Sequence, residues 1–341
     1  MIINSYSEFQ PLQEVVIGQG YPPDYFDFVK DRQTRQCLET IFSEIEEDFD
    51  HLISVLTSFG VTVTRPGIIS KEQFQNLAQR GYHMLPPLTP RDRQHVYGDK
   101  LVRFSNYQIF DQIFQHYKNL APDQIVDVFV DNPNHVLDGA NASCVFRMGR
   151  DVWFDESEWL TADQARWLEQ NIFTDSSYRF HRMLTEGHGD CVFAVLKPGV
   201  ILTSYHDDGV NYRKDFPNWN IHRIPSPSIN RFVEFREQLH PGTTWWVPGQ
   251  DNLPQFREYV NTYLQDWVGA IHESVFDVNC LSIDEQHVIF GCYDADVFAY
   301  CRQHGIEPIL CDIRHRFFFD GSVHCCSLDI RRQGGMEDYY G

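Results

Sequence analysis

The chain has 341 residues, 42% of them hydrophobic and 14% aromatic, which is ample material for a large core and argues against disorder. Its 28 lysines and arginines against 48 acidic residues leave a formal charge of −20. A field of that sign repels phosphate backbones and anionic lipid, so neither nucleic acid nor a membrane surface is an expected partner, while cationic ligands are favoured.

The first residues, MIINSYSEFQPLQEVVIG, lack a basic segment followed by an apolar core, so no signal peptide is expected, and no run of about 18 apolar residues suggests a membrane span. Nine cysteines are scattered without a C-x-x-C pair or a framework spacing. That usage predicts free thiols, mostly small core residues, in a reducing cytoplasmic compartment.

In chain order, QEVVIG reads as a strand, the stretch with Ile41, Ile45, Phe49, Leu52 and Leu56 on one face as a helix, and VTVT after Gly60 as a second strand. Residues 93–130 then give a hairpin (RQHVY, KLVRF), a helix opened by Ser105, and a strand (IVDVFV). Residues 143–183 repeat the order, with Thr161 and Gln164 spaced as a capping box. Residues 191–224 keep the hairpin and last strand around a middle that is not a clean helix. Residues 278–314 repeat the unit again, with Asp294 as helix cap and Gly305 as stop. A segment at about 227–276, with a helix near Leu253–Trp267, interrupts the scheme and is a candidate lid.

The first unit lacks one hairpin strand, and a spare one, SVHCCSLDI, lies at the far end of the chain. Pairing the two completes a fifth unit and leaves no open edge between first and last modules. The prediction is one α/β domain, residues 1–341, of five ββαβ modules in a closed ring.

Equivalent positions before each inner strand carry Asp92, Asp138, His188 with Asp190, and Cys325. In a ring these converge, and carboxylates, an imidazole and a thiol make a nucleophile–base–orienter set. On a strand, Cys325 and Cys326 face opposite ways, so at most one is chemically special. His324, Cys325 and Cys326 lack the spacing of a zinc site, and no metal is expected.

These motifs resemble the amidinotransferases, a family of guanidino-group-modifying enzymes. The likeness runs from SYSEFQPLQEVVIG through PRD, LDGAN…GRD and HGDCVFAVLKPGVIL to GSVHCCSLDIRRQG. It implies the five-bladed α/β propeller known as the pentein fold and an enzyme without a cofactor. It also implies Cys325 as nucleophile, His188 as acid and base, and Asp138 and Asp190 as carboxylates gripping a guanidinium. Asp92, Arg91, Asn141, His272 and Glu273 are the further substrate-contact candidates. The implied reaction moves the amidino group of L-arginine to an amine through an amidino-cysteine and releases ornithine. The alternative is hydrolysis of the arginine deiminase or dimethylarginine hydrolase type, and a third reading is a non-catalytic ring like the initiation factor that shares the fold.

Two departures from that family pattern stand out. Gly187 and Gly189 flank His188, predicting a roomier or more mobile strand entry, and Asp207 stands near the place where glycine amidinotransferase has a carboxylate-binding arginine. Arg91 or backbone amides are the candidates to take over that role. The expected partners are small molecules, and a homodimer is compatible with the sequence.

Overall fold

The computed structural model describes residues 2–104, 108–131, 136–157, 159–184, 189–204, 212–224, 245–249, 253–268, 278–319 and 321–340. Within them lie five three-stranded sheets. The second joins Gln94–Tyr97, Lys100–Arg103 and Ile125–Asp127, and the third Val145–Met148, Asp151–Asp155 and Arg179–Met183. The fourth joins Phe193–Lys197, Val200–Thr203 and Asn220–Arg223, and the fifth Leu281–Asp284, His287–Phe290 and Glu307–Leu310. Each has an antiparallel hairpin and a parallel third strand, as a ββαβ unit requires.

The remaining sheet is the one the sequence splits between the two ends of the chain. Ser327–Arg332 pairs antiparallel with Leu12–Ile17, placing Leu328 opposite Val16, and Thr62–Thr64 pairs parallel on the other side. Neighbouring modules touch at their inner strands and the turns before them. Ser327–Arg332 meets Gln94–Tyr97, Pro90–Asp92 meets Ala142–Cys144, and Ala142–Cys144 meets Gly189–Val192. Phe193–Lys197 meets Leu281–Asp284, which meets Leu12–Ile17.

Local signals placed the helices well. Asp31 accepts from the Thr34 amide and opens Arg32–Ser58, whose buried stripe includes Ile41, Ile45, Phe49, Leu52 and Leu56. Thr161 and Gln164 form the expected capping box on Ala162–Asn171. Asp294 caps Ala295–Gln303, which ends before Gly305 at φ +70°. In the second module the α-helix starts only at Asp111, and the expected opener Ser105 lies outside the described residues.

The interrupting segment supplies the helix Pro254–Tyr263 and a single-turn 3-10 helix, Gln265–Trp267. Phe256, Val260, Leu264 and Trp267 are buried with the core of the first helix, and the Trp267 indole donates to the His83 carbonyl at 3.0 Å. This part is therefore docked by its apolar face; the rest of the candidate lid lies mostly outside the described residues.

One expectation fails in an instructive way. The strand predicted from Val323 begins only at Ser327, and residues 323–326 form a turn. Asn279 explains it: its side-chain oxygen accepts from the backbone amides of His324 at 3.0 Å and Cys325 at 3.2 Å, so those donors are diverted from a ladder. Short helical turns likewise precede the inner strands at Pro90–Asp92, Ala142–Cys144 and Gly189–Val192.

Beneath these turns runs a buried ionic hub centred on Asp329. Its carboxylate accepts from Arg91 at 2.7 Å, Arg147 at 2.9 Å, Arg332 at 2.8 Å and the Ser5 hydroxyl at 2.7 Å. Glu8 takes Arg147 in a fork of two 2.8 Å bonds. Burial alone would raise both acids, but Arg147 foremost holds the Glu8 and Asp329 carboxyls well below the usual carboxylate range.

Candidate active site

Cys325 sits in the turn before the last strand with 1% of its surface exposed. Asp190, 3% exposed, reaches it from the helical turn Gly189–Val192, with Oδ2 lying 3.5 Å from the sulfur. The same oxygen accepts from His324 Nδ1 at 2.7 Å and from Asn279 Nδ2 at 3.3 Å. Asn279 Nδ2 also donates to the Cys325 sulfur at 2.9 Å. Asn279 thus holds backbone, sulfur and carboxylate of the site at once.

The electrostatics oppose a free thiolate. A hydrogen bond from Cys191 favours it, but burial and the carboxylates of Asp190 and Asp92 outweigh that help, and the Cys325 pKa is pushed up to about 12. The resting group is a thiol. A planar cation bound against these carboxylates would reverse the balance.

Asp92 ends the single-turn 3-10 helix Pro90–Asp92 and, with Thr89, Arg93, Asp266, Trp267 and Phe319, lines a cavity of about 120 Å³. Thr89 Cγ2 and Cys325 Cβ stand 3.1 and 3.3 Å from where a Cβ on Gly321 would lie, so one lining residue of the cavity comes close to the turn that carries Cys325.

Other sequence candidates fall elsewhere. Arg91 is fully buried, donating to the carbonyls of His324 at 3.0 Å and Ser327 at 2.9 Å besides Asp329. Its guanidinium therefore braces the Cys325 turn, and the role of carboxylate binder assigned to it is corrected: a group with these partners in the interior cannot turn to a substrate. Asn141 is buried and caps the turn Ala142–Cys144 through Ser143, at 2.9 Å to its amide and 2.8 Å to its hydroxyl. Asp138 is exposed, and its backbone carbonyl accepts from Gln164 at 3.2 Å. His188, His272, Glu273, Gly187 and Asp207 lie outside the described residues. Gly189 does not open space as expected, because a Cβ there would stand 2.6 Å from the Phe146 ring. The glycine serves close approach.

Cys326 belongs to the large core that holds Val323, whereas Cys325 joins Cys191 in a small separate cluster. The two neighbours face apart, as strand alternation had implied, although a turn brings it about. Among the described residues, the ligand-bearing atoms that do converge are those of Asp190, Cys191 and Cys325, all within 4.8 Å of one another. Sequence reading missed Asn279 and Cys191. Asn279 lies in VNCLSI just before an inner strand, the position used to pick the other candidates, but an amide there carries no chemical signature of its own.

No family model matches the chain. A search of curated proteins finds the L-arginine:L-lysine amidinotransferase of Pseudomonas savastanoi pv. phaseolicola, 21% identical over 98% of this chain and 96% of that protein. It also finds the mitochondrial glycine amidinotransferase of Xenopus laevis, 21% identical over 98% of this chain and 84% of that one. Over nearly its whole length the chain is thus similar to amidinotransferases. Among solved structures, an amidinotransferase of the saxitoxin pathway from Microseira wollei superposes with a TM-score of 0.67 at 18% identity, covering 100% of both chains. The five sheets fit the pentein fold of such amidinotransferases. Among the described residues no helix is long and apolar enough to cross a membrane.

Proposed function

We propose that this protein is an amidinotransferase that moves the amidino group of L-arginine to an amine through Cys325, inside a closed five-bladed ring formed by the five modules. The observation that carries the reading is a buried thiol 3.5 Å from the Asp190 carboxylate and in the field of Asp92, an arrangement that disfavours the thiolate and that a bound cation would relieve. In the proposed reaction the guanidinium lies against these carboxylates with its central carbon over the sulfur. The Cys325 thiolate bonds to that carbon, the C–N bond to the ornithine nitrogen breaks, and His188 returns a proton to the departing amine. The incoming amine, deprotonated by His188, then displaces the sulfur and carries the amidino group away.

The cavity bordered by Asp92, Arg93 and Asp266 supports arginine as donor. With Asp92 kept for the guanidinium end, Arg93 and the Asp266 carboxylate match the α-carboxylate and α-ammonium of an amino acid, and Arg93 takes the role that Arg91, locked in the hub, cannot.

Product analysis tests the reading. With arginine and a panel of amines, ornithine beyond one equivalent per enzyme is expected only when an accepted amine is present. Citrulline formed from arginine alone would make the chain a hydrolase, and neither product would sink the arginine assignment.

A further inference from the structure

The mechanism proposed above gives no step to Cys191, yet this thiol is the nearest reactive neighbour of the nucleophile. Its sulfur shares the 4.8 Å cluster with Cys325 and Asp190. Asn279 Nδ2 lies 3.6 Å from the Cys191 sulfur and 2.9 Å from that of Cys325, so one amide spans both. The two cysteines make up a buried apolar cluster of their own, with Cys292 and Phe317 packed at its edge. Cys326, adjacent in sequence, is turned into a different core. A disulfide needs its sulfurs about 2 Å apart, so bonding closes a gap of at most 4.8 Å between these two.

We propose that Cys191 is a resolving thiol, and that Cys191 and Cys325 form a reversible disulfide when the protein meets a hydroperoxide. In the first step the thiolate fraction of Cys325 attacks the peroxide, the O–O bond breaks, one oxygen stays on sulfur as a sulfenic acid, and the other leaves as water or an alcohol with the proton the thiol gave up. In the second, the Cys191 sulfur attacks the sulfenic sulfur, the S–O bond breaks, and the thiol proton departs with the oxygen as water. Two thiols lose two electrons and one peroxide gains them. The disulfide removes the nucleophile from service and shields it from irreversible oxidation to the sulfinic acid, which a lone active-site thiol would undergo.

The test is peptide mapping, which requires no turnover and so stands or falls separately from the amidino-transfer reading. The full-length protein is treated with hydrogen peroxide, its remaining thiols are blocked with iodoacetamide, and it is digested without reductant. The expected product joins the peptides of Cys191 and Cys325, and dithiothreitol restores labelling at both. In Cys191→Ser, and in Cys191→Ala as a second variant, the cross-link is absent, Cys325 proceeds to sulfinic acid, and the fraction recoverable by dithiothreitol falls about tenfold. Recovery of Cys325 from the parent protein as sulfinic acid, or joined to Cys292 or Cys326, with Cys191 unmodified, overturns the proposal. Folding of the variants does not enter that outcome.

Discussion

Asn279 grips Cys325 twice: its Nδ2 donates to the sulfur at 2.9 Å and its Oδ1 accepts from the residue's own amide at 3.2 Å. One buried side chain, 0% exposed, therefore sets both where the sulfur points and how much negative charge it tolerates. The expected consequence is that Asn279→Ala lowers kcat about 10- to 100-fold, the worth of one hydrogen bond to a developing charge. Steady-state kinetics check it, with Asn279→Asp expected to be worse because a carboxylate would face the thiolate. Wild-type kcat in the alanine variant would contradict the role.

The high thiol pKa is open to measurement through alkylation. Iodoacetamide modification of Cys325 is expected to keep rising with pH toward about 12, far beyond an ordinary cysteine. Adding guanidinium ion at millimolar, non-denaturing concentration is expected to speed modification at pH 8 by about tenfold for each pKa unit the cation reverses. An unchanged profile, or simple protection, would contradict the cation-gated thiol.

Asp329 tests the hub beneath the site. Replacing it with Asn leaves Arg91, Arg147 and Arg332 buried without their shared carboxylate. Unfolding in urea is expected to show a loss of about 3–5 kcal/mol. A change below about 1 kcal/mol would mean that the hub relaxes at little cost.

Acid stability follows from two buried histidines. Burial lowers the His83 pKa to about 4, and burial followed by Arg147 and Arg91 holds His95 well below its ordinary range. Both rings are neutral in the fold and take up a proton near pH 6.5 once unfolded. Their contribution is therefore complete above about pH 6.5 and is lost as pH falls from there. Glu8 and Asp329, held low, keep theirs until more acidic pH. The His83 share amounts to about 3 kcal/mol by pH 4. His83→Gln is expected to flatten the fall of Tm between pH 6.5 and 4, and an unaltered slope would contradict the assignment.

Much of the architecture was legible because local signals agreed with the global repeat: capping residues, hairpin turns and the missing strand of the first unit each found their partner. The arrangement of the candidate site was legible in part. Cys325 and Asp190 came together as expected because their positions relative to the inner strands are equivalent. Arg91 was misread, since sequence shows a cation beside a motif aspartate but not that Asp329, more than two hundred residues on, holds it. The start of the last strand was also misread. The apolar alternation through Val323 signals burial, while the turn depends on Asn279 from another module, a contact no local pattern encodes.

The most direct measurement is the mass of the Cys325 peptide after the protein is incubated with arginine in the absence of any amine and quenched in acid. The account predicts one amidino group on Cys325, absent from Cys325→Ser and discharged when an accepted amine is added. An unmodified Cys325 in protein that nonetheless turns over arginine, or the adduct on another residue, would contradict it.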